Sequence, residues 1–200
     1  MNFDVFLKKI ISNKYYIFST DDIASLFPDE DLSTIKKALF RWKKSGSIIS
    51  LKKGLYELVY PQNFNIPDMF VANKLYEPSY VSLETILSKT SIIPEVSMSV
   101  TSISTKPTRR FKNKHGLFTY TTFKPEYFTG YYIERENDFS IFVAEPEKAL
   151  IDYFYISKKK KVVINERLDI DIVLDLNKKK LKKYAQLMKI DVRSILNVNL

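Results

Sequence analysis

The spacing of apolar residues divides the first sixty positions into short, strongly patterned pieces. Val5, Phe6, Leu7, Ile10 and Ile11 recur at near-helical spacing and predict a short amphipathic helix over residues 4–11. Positions 13–18 interrupt it. Ser19 or Thr20 then offers an N-cap oxygen, and Asp21 and Asp22 suit the positive end of a helix. Ile23, Ala24, Leu26 and Phe27 supply the buried stripe of a second, very short helix that Pro28 stops. After an acidic turn at 29–31, Asp31 is placed to cap a third helix over residues 32–44. At about 100° per residue, Ile35, Ala38, Leu39 and Trp42 share one side, while Ser33, Lys37 and Lys44 lie opposite, flanked by Thr34, Lys36 and Arg41. Phe40 also projects to that polar side, where it either packs under a loop or wing or touches a ligand. Ser45-Gly46 ends the helix, and residues 48–50 and 55–59 around Lys52-Lys53-Gly54 predict a tight hairpin. Helix, helix, turn, basic helix and wing is the order of a winged helix-turn-helix.

Residues 61–65 have no periodicity and read as a linker. Beyond it, helices are expected over 67–76 and 82–89. The alternation V-S-M-S-V-T-S-I-S over 96–104 predicts a strand with Val96, Met98, Val100 and Ile103 facing inward and Ser and Thr outward. Strands at 109–112 and 117–123 flank a hairpin signal at Asn113-Lys114-His115-Gly116. A further strand at 139–143 runs into Glu145-Pro146, which opens a helix through Ala149, Leu150, Tyr153 and Phe154. The four lysines at 158–161 interrupt the pattern. Residues 166–189 read as an interrupted helix with Leu168, Ile172, Leu176, Leu181, Tyr184, Leu187 and Met188 apolar. The expected fold class is therefore α+β: a winged helix-turn-helix domain over 1–60, then a mixed α/β domain over 67–200 whose part at 158–200 is lysine-rich and mainly helical.

Composition narrows the chemistry. Cysteine is absent from the 200 residues, which excludes a disulfide framework, a thiolate nucleophile and Cys-built metal sites. His115 is the one histidine, so a His-rich metal site and any catalysis needing two imidazoles are excluded too. A carboxylate-only magnesium site stays open. No apolar run approaches the ~20 residues of a membrane span, and the start MNFDVFLKKI lacks the charged-then-apolar order of a signal peptide. A cytoplasmic protein with no membrane partner is expected.

The net charge of +9 is unevenly spread: residues 1–60 carry +3, 61–157 carry −1 and 158–200 carry +7. Within the first block, residues 33–53 hold seven basic side chains and no acidic one. Such a single-sign field suits a phosphate-tracking surface. On a recognition helix, Ser33, Thr34, Lys37 and Arg41 are the candidates for base edges, and Lys36, Lys43, Lys44, Lys52 and Lys53 for phosphates. A solvated face of a lysine-rich chain is the alternative. Lys106, Arg109, Arg110, Lys112 and Lys114, with Phe111 among them, form a second basic patch. It either extends a DNA footprint, meets an acidic partner, or merely guards an exposed hairpin against strand pairing.

Glu145-Pro146-Glu147-Lys148 invites comparison with the carboxylate-x-lysine core of magnesium nucleases, but the spacing is wrong, and acidic residues at a helix N-terminus explain it better. With Gly46, Gly54, Gly116 and Gly130 the only glycines, no phosphate-cradling loop exists. His115 reads as a turn residue with nothing beside it in sequence to orient it as a base. No catalytic residue, metal or cofactor is expected, and the chain is expected not to be an enzyme.

Several phrases add a resemblance. Phe18-Ser19-Thr20-Asp21-Asp22-Ile23-Ala24, Ala38-Leu39-Phe40-Arg41-Trp42, Gly54-Leu55-Tyr56, Tyr80-Val81-Ser82-Leu83-Glu84, Val100-Thr101-Ser102 with Thr108-Arg109, and Ala144-Glu145-Pro146-Glu147-Lys148-Ala149-Leu150-Ile151-Asp152 together span about residues 18–152. In these the chain resembles the AbiE-type antitoxins, the regulator half of an abortive-infection toxin-antitoxin pair used in phage defence. The resemblance implies a transcriptional autorepressor that binds inverted repeats of double-stranded promoter DNA. It also implies a second domain that counters a cognate nucleotidyltransferase-like toxin. A magnesium-dependent nucleic-acid enzyme, a pure protein-binding module and a stand-alone winged-helix regulator with no toxin partner are the competing readings.

Overall fold

A computed structural model of the chain describes residues 1–59, 65–160 and 168–192. Among them are eight α-helices and two sheets, an α+β fold. The chain divides into two compact units, Met1–Pro67 and Asp68–Leu200.

The N-terminal unit runs α1 (Phe3–Ser12), β1 (Ile17–Ser19), α2 (Thr20–Leu26), α3 (Leu32–Lys44), β2 (Ile48–Lys52) and β3 (Leu55–Leu58). Its helix starts are fixed by local chemistry. Ser19 and Asp22 form a reciprocal capping box on α2, with Asp22 N–H donating to Ser19 Oγ at 3.0 Å and Ser19 N–H to Asp22 Oδ2 at 2.6 Å. Asp31 caps α3. The strands form an antiparallel sheet ordered β1-β3-β2. Three-residue β1 is the one strand of this unit that hydropathy did not predict. Gly54 turns the β2–β3 hairpin with φ of +78°, a conformation that a side chain would strain. Phe6, Ile10, Phe18, Ile23, Ile35, Ala38, Leu39, Trp42, Ile48 and Leu58 make the core. Trp42 points inward, its ring centroid 4.3 Å from Phe6 and 5.2 Å from Phe3.

The second unit is built on a sheet ordered β6-β7-β5-β4-β9-β8, from β4 (Ser79–Val81), β5 (Val100–Ser104), β6 (Arg109–Asn113), β7 (Gly116–Thr122), β8 (Tyr131–Glu136) and β9 (Phe139–Ala144). β4 is antiparallel to β5 and parallel to β9, and β5 is parallel to β7. The helices are α4 (Asp68–Leu75), α5 (Glu84–Lys89), α6 (Pro146–Lys160), α7 (Ile170–Asp175) and α8 (Lys178–Met188). Tyr120 reaches α4, its hydroxyl donating to the Ala72 carbonyl at 2.6 Å. Thr101 and Tyr80, which project from the opposite face, meet α5 and α6. The middle of the sheet is thus covered on both faces.

That double cover overturns the inward set expected over 96–104. Only Val100–Ser104 is strand, Val96 and Met98 are 83% and 93% exposed, and Thr101, Ser102 and Ser104 are buried with Ile103. Two of these buried hydroxyls serve as backbone clamps: Thr101 donates to the Ser82 carbonyl at 2.6 Å and Ser104 to the Pro78 carbonyl at 2.7 Å, while the Ser102 hydroxyl is unpartnered. α6 continues through Lys158 and Lys159 to Lys160 rather than breaking there, because lysine is a good helix former; Lys161 and the expected helical positions 166 and 167 lie outside the described residues, as does the linker at 61–64. Leu187, expected in the apolar stripe of α8, is 38% exposed, whereas Leu181, Tyr184 and Met188 are buried.

Candidate nucleic-acid interface

α3 presents its cations outward because its apolar positions are consumed by the core. Ile35, Ala38, Leu39 and Trp42 are buried, and Ser33, Lys36, Lys37, Phe40, Arg41, Lys43 and Lys44 are exposed. Lys53 is exposed at the tip of the β2–β3 hairpin, and Lys52 is half-buried. The structure therefore brings Lys36, Lys37, Arg41, Lys43 and Lys44 onto one helix, with Lys53 on the hairpin of the same unit.

Ser33 and Thr34 stand apart from the other base-reading candidates. Thr34 N–H donates to Asp31 Oδ1 and its hydroxyl to Oδ2, both at 2.8 Å. Ser33 bonds the same carboxylate. The Thr34 proton is committed to the cap, so what Thr34 offers a base edge is acceptor lone pairs alone. These bonds, Ser33's foremost and then Thr34's, hold the Asp31 carboxyl well below the usual carboxylate range. A depressed folded-state pKa means that the cap stabilises α3 above the unfolded-state value of about 3.9 and is lost as pH falls through the folded value. Asp31→Asn keeps a capping oxygen without the titration. Its stability is expected to fall less than that of the parent between about pH 4 and pH 2. Denaturant titrations followed by Trp42 fluorescence measure this, and equal losses in both proteins would remove the assignment.

The second basic patch is not one patch. Register pairs Arg110 with Thr119 and Lys112 with Leu117, while Arg109 pairs with Tyr120 and Phe111 with Phe118, so the cations of β6 alternate between the two faces of the sheet. Phe111 is half-buried against Tyr76 and Tyr120, at centroid distances of 5.8 and 5.7 Å, and does not join an exposed cluster. Lys106 lies over the Tyr76 ring at 5.6 Å, and Lys114 sits in the turn that follows. Arg109 and Arg110 nonetheless both border a cleft of about 570 Å³, with Leu117, Thr119, Met98 and Tyr153. β6 is an edge strand, where such charges discourage pairing with other chains. His115 is more than a turn residue: its Nδ1 lies 2.9 Å from Asp68 Oδ1, a partner distant in sequence.

Glu145, Glu147 and Lys148 do not converge on a common point. Glu145 accepts from Lys180 at 2.8 Å and Tyr184 at 2.7 Å; burial pushes its carboxyl up, and those two bonds outweigh burial to leave it lowered. Glu147 accepts the Asn177 amide at 2.9 Å. Lys148 is fully buried and bonds Asp152, one turn along α6, and the Tyr80 hydroxyl at 2.9 Å. Asp152 also accepts from Tyr80 at 3.1 Å and Ser82 at 2.8 Å. Burial lowers the Lys148 ammonium and raises the Asp152 carboxyl, in each case against the pull of its partner. Gly130 admits this cluster, since a Cβ there would stand 2.8 Å from Tyr184 and 2.9 Å from Lys148. Among the described residues no group of three or more His, Cys, Asp or Glu is placed to hold a metal ion.

Sequence reading missed this network, although a lysine and an aspartate four apart, flanking the apolar run at 149–151, were its available signal. It also missed Leu83, which joins β4 to α5 at φ +58° and ψ −141°, a region that costs a non-glycine residue about 1–3 kcal/mol. Thr101 over-determines that turn, bonding the Ser82 carbonyl and accepting the Thr85 amide at 3.1 Å. Among the described residues no helix is long and apolar enough to cross a membrane. Compared with protein-family models and with curated proteins, the chain matches none.

Proposed function

We propose that the chain is a sequence-specific DNA-binding transcriptional autorepressor whose N-terminal unit works as a winged helix-turn-helix, and that it acts as the antitoxin of an abortive-infection pair, countering a nucleotidyltransferase-like toxin. One observation carries the DNA-binding part: α3 turns an acid-free set of cations outward while Ile35, Ala38, Leu39 and Trp42 close the core. Cation–phosphate contacts release counterions and set affinity; side chains near Lys37 and Arg41 select sequence. The antitoxin part rests on the resemblance of the second unit's phrases. Tyr80, Ser82, Thr101, Lys148 and Asp152, all from those phrases, meet in one buried polar network, which gives them a shared reason to occur together.

The test is salt. Five phosphate contacts imply a slope of log affinity against log salt of about −4.5, and so a loss of about 500-fold between about 50 and 200 mM monovalent salt. Fluorescence anisotropy with a duplex carrying inverted repeats from the chain's own upstream region measures it. A slope near zero, or no binding at the low end, would refute the reading. Arrest of a co-expressed downstream toxin, relieved by this chain, tests the antitoxin part separately.

A further inference from the structure

Phe40 is the feature of the N-terminal unit that its cations do not explain. It is 69% exposed, more than any other large apolar side chain described in that unit. It therefore does not pack under the hairpin or a loop. Lone exposed apolar residues are ordinary on protein surfaces, but this one is placed with unusual neighbours. Lys36 and Lys37 precede it by four and three residues, and Lys43 and Lys44 follow it by three and four. On a helix those four positions are its immediate surroundings, and all four lysines and Arg41 are exposed.

A surface that would engage Phe40 must accept an apolar ring at the centre of a cationic collar. A purely acidic surface offers no reason for the ring and a purely apolar one none for the collar; a protein would need an apolar pocket rimmed by carboxylates. Duplex DNA offers both: phosphates flank the major groove, and the apolar group displayed on its floor is the thymine C5-methyl. We propose that Phe40 is a specificity-determining residue that packs on a thymine methyl in the major groove while Lys36, Lys43 and Lys44 beside it hold phosphates. This rests on the duplex-binding reading above and adds to it a base preference at one position.

The experiment uses the full chain. A preferred duplex is selected from a randomised pool, and each thymine in turn is replaced by deoxyuridine, which lacks only the methyl. Burial of one methyl predicts about fourfold weaker binding at one thymine. Phe40→Ala should bind the parent duplex about tenfold more weakly and no longer distinguish thymine from deoxyuridine at that position, while Phe40→Leu retains part of the discrimination. Because the side chain is exposed, thermal midpoint and circular dichroism should be unchanged, which separates recognition from folding. A preferred duplex whose binding is indifferent to every methyl removal, or a Phe40→Ala variant as sensitive as the parent, overturns the assignment and leaves duplex binding standing. Kinking without methyl dependence would mark Phe40 as a base-step wedge and equally overturn it. If no duplex is enriched or bound, the duplex-binding reading fails and this assignment with it.

Discussion

Asp152→Ala is expected to destabilise the second unit by about 3–5 kcal/mol, the penalty of leaving a buried ammonium without its counter-charge. Lys148 is fully buried, and the Tyr80 and Ser82 hydroxyls would lose their acceptor at the same time. Since burial acts against the charged form of both partners, the pair is costly to form and costlier to break. The double substitution Lys148→Met, Asp152→Leu should therefore be the milder change, because it orphans the same two hydroxyls as Asp152→Ala but leaves no buried ammonium without its counter-charge. Trp42 lies in the other unit, so the measurement is hydrogen exchange along α6, supported by circular dichroism in denaturant. If the double variant lost the sum of the two single losses, no coupling between the charges would exist, and the network would be incidental.

What the sequence made legible in this fold was what short-range chemistry decides. Ser19 with Asp22, Asp31 and Pro28 mark the boundaries of α2 and α3, and Lys53-Gly54 marks the hairpin, each within a few residues. What escaped is what distant segments decide. β1 exists because β3 returns to pair with it, and all three residues of β4 are buried, so neither shows alternation. The 96–104 segment misled because alternation assumes one wet face, whereas β5 is covered on both, and hydroxyls that seemed solvent-directed were destined for backbone carbonyls.

The candidate site divides in the same way. The cationic face of α3 follows from helical spacing and was readable, as was the outward direction of Phe40. The diversion of Ser33 and Thr34 onto Asp31 depends on cap geometry, and the splitting of Arg109 and Arg110 to opposite faces depends on strand register. The phrases that carry the resemblance behave differently again. Their polar members in the second unit are mostly interior, so they report how that unit is held together.

The basic face itself gives the other large effect. Lys36→Ala, Lys43→Ala and Lys44→Ala combined are expected to flatten the salt slope by about 2.7 and to weaken specific and random duplexes alike, because phosphates occur in both. The side chains are exposed, so the fold should survive the change. Arg41→Ala should do the opposite. A guanidinium forked onto guanine carries about 1–3 kcal/mol of discrimination, so the preferred duplex should lose about 5- to 150-fold while random duplex loses little. Lys53→Ala belongs with the lysines of α3, and Lys52→Ala should have a smaller effect because Lys52 is half-buried. Anisotropy titrations of each variant against both duplexes at several salt concentrations separate the two behaviours. Should Arg41→Ala weaken both duplexes equally, it is a phosphate contact and base selection lies with Lys37. Should the triple variant keep the parental slope, α3 does not face the duplex, and the row of outward cations is a solvated surface after all.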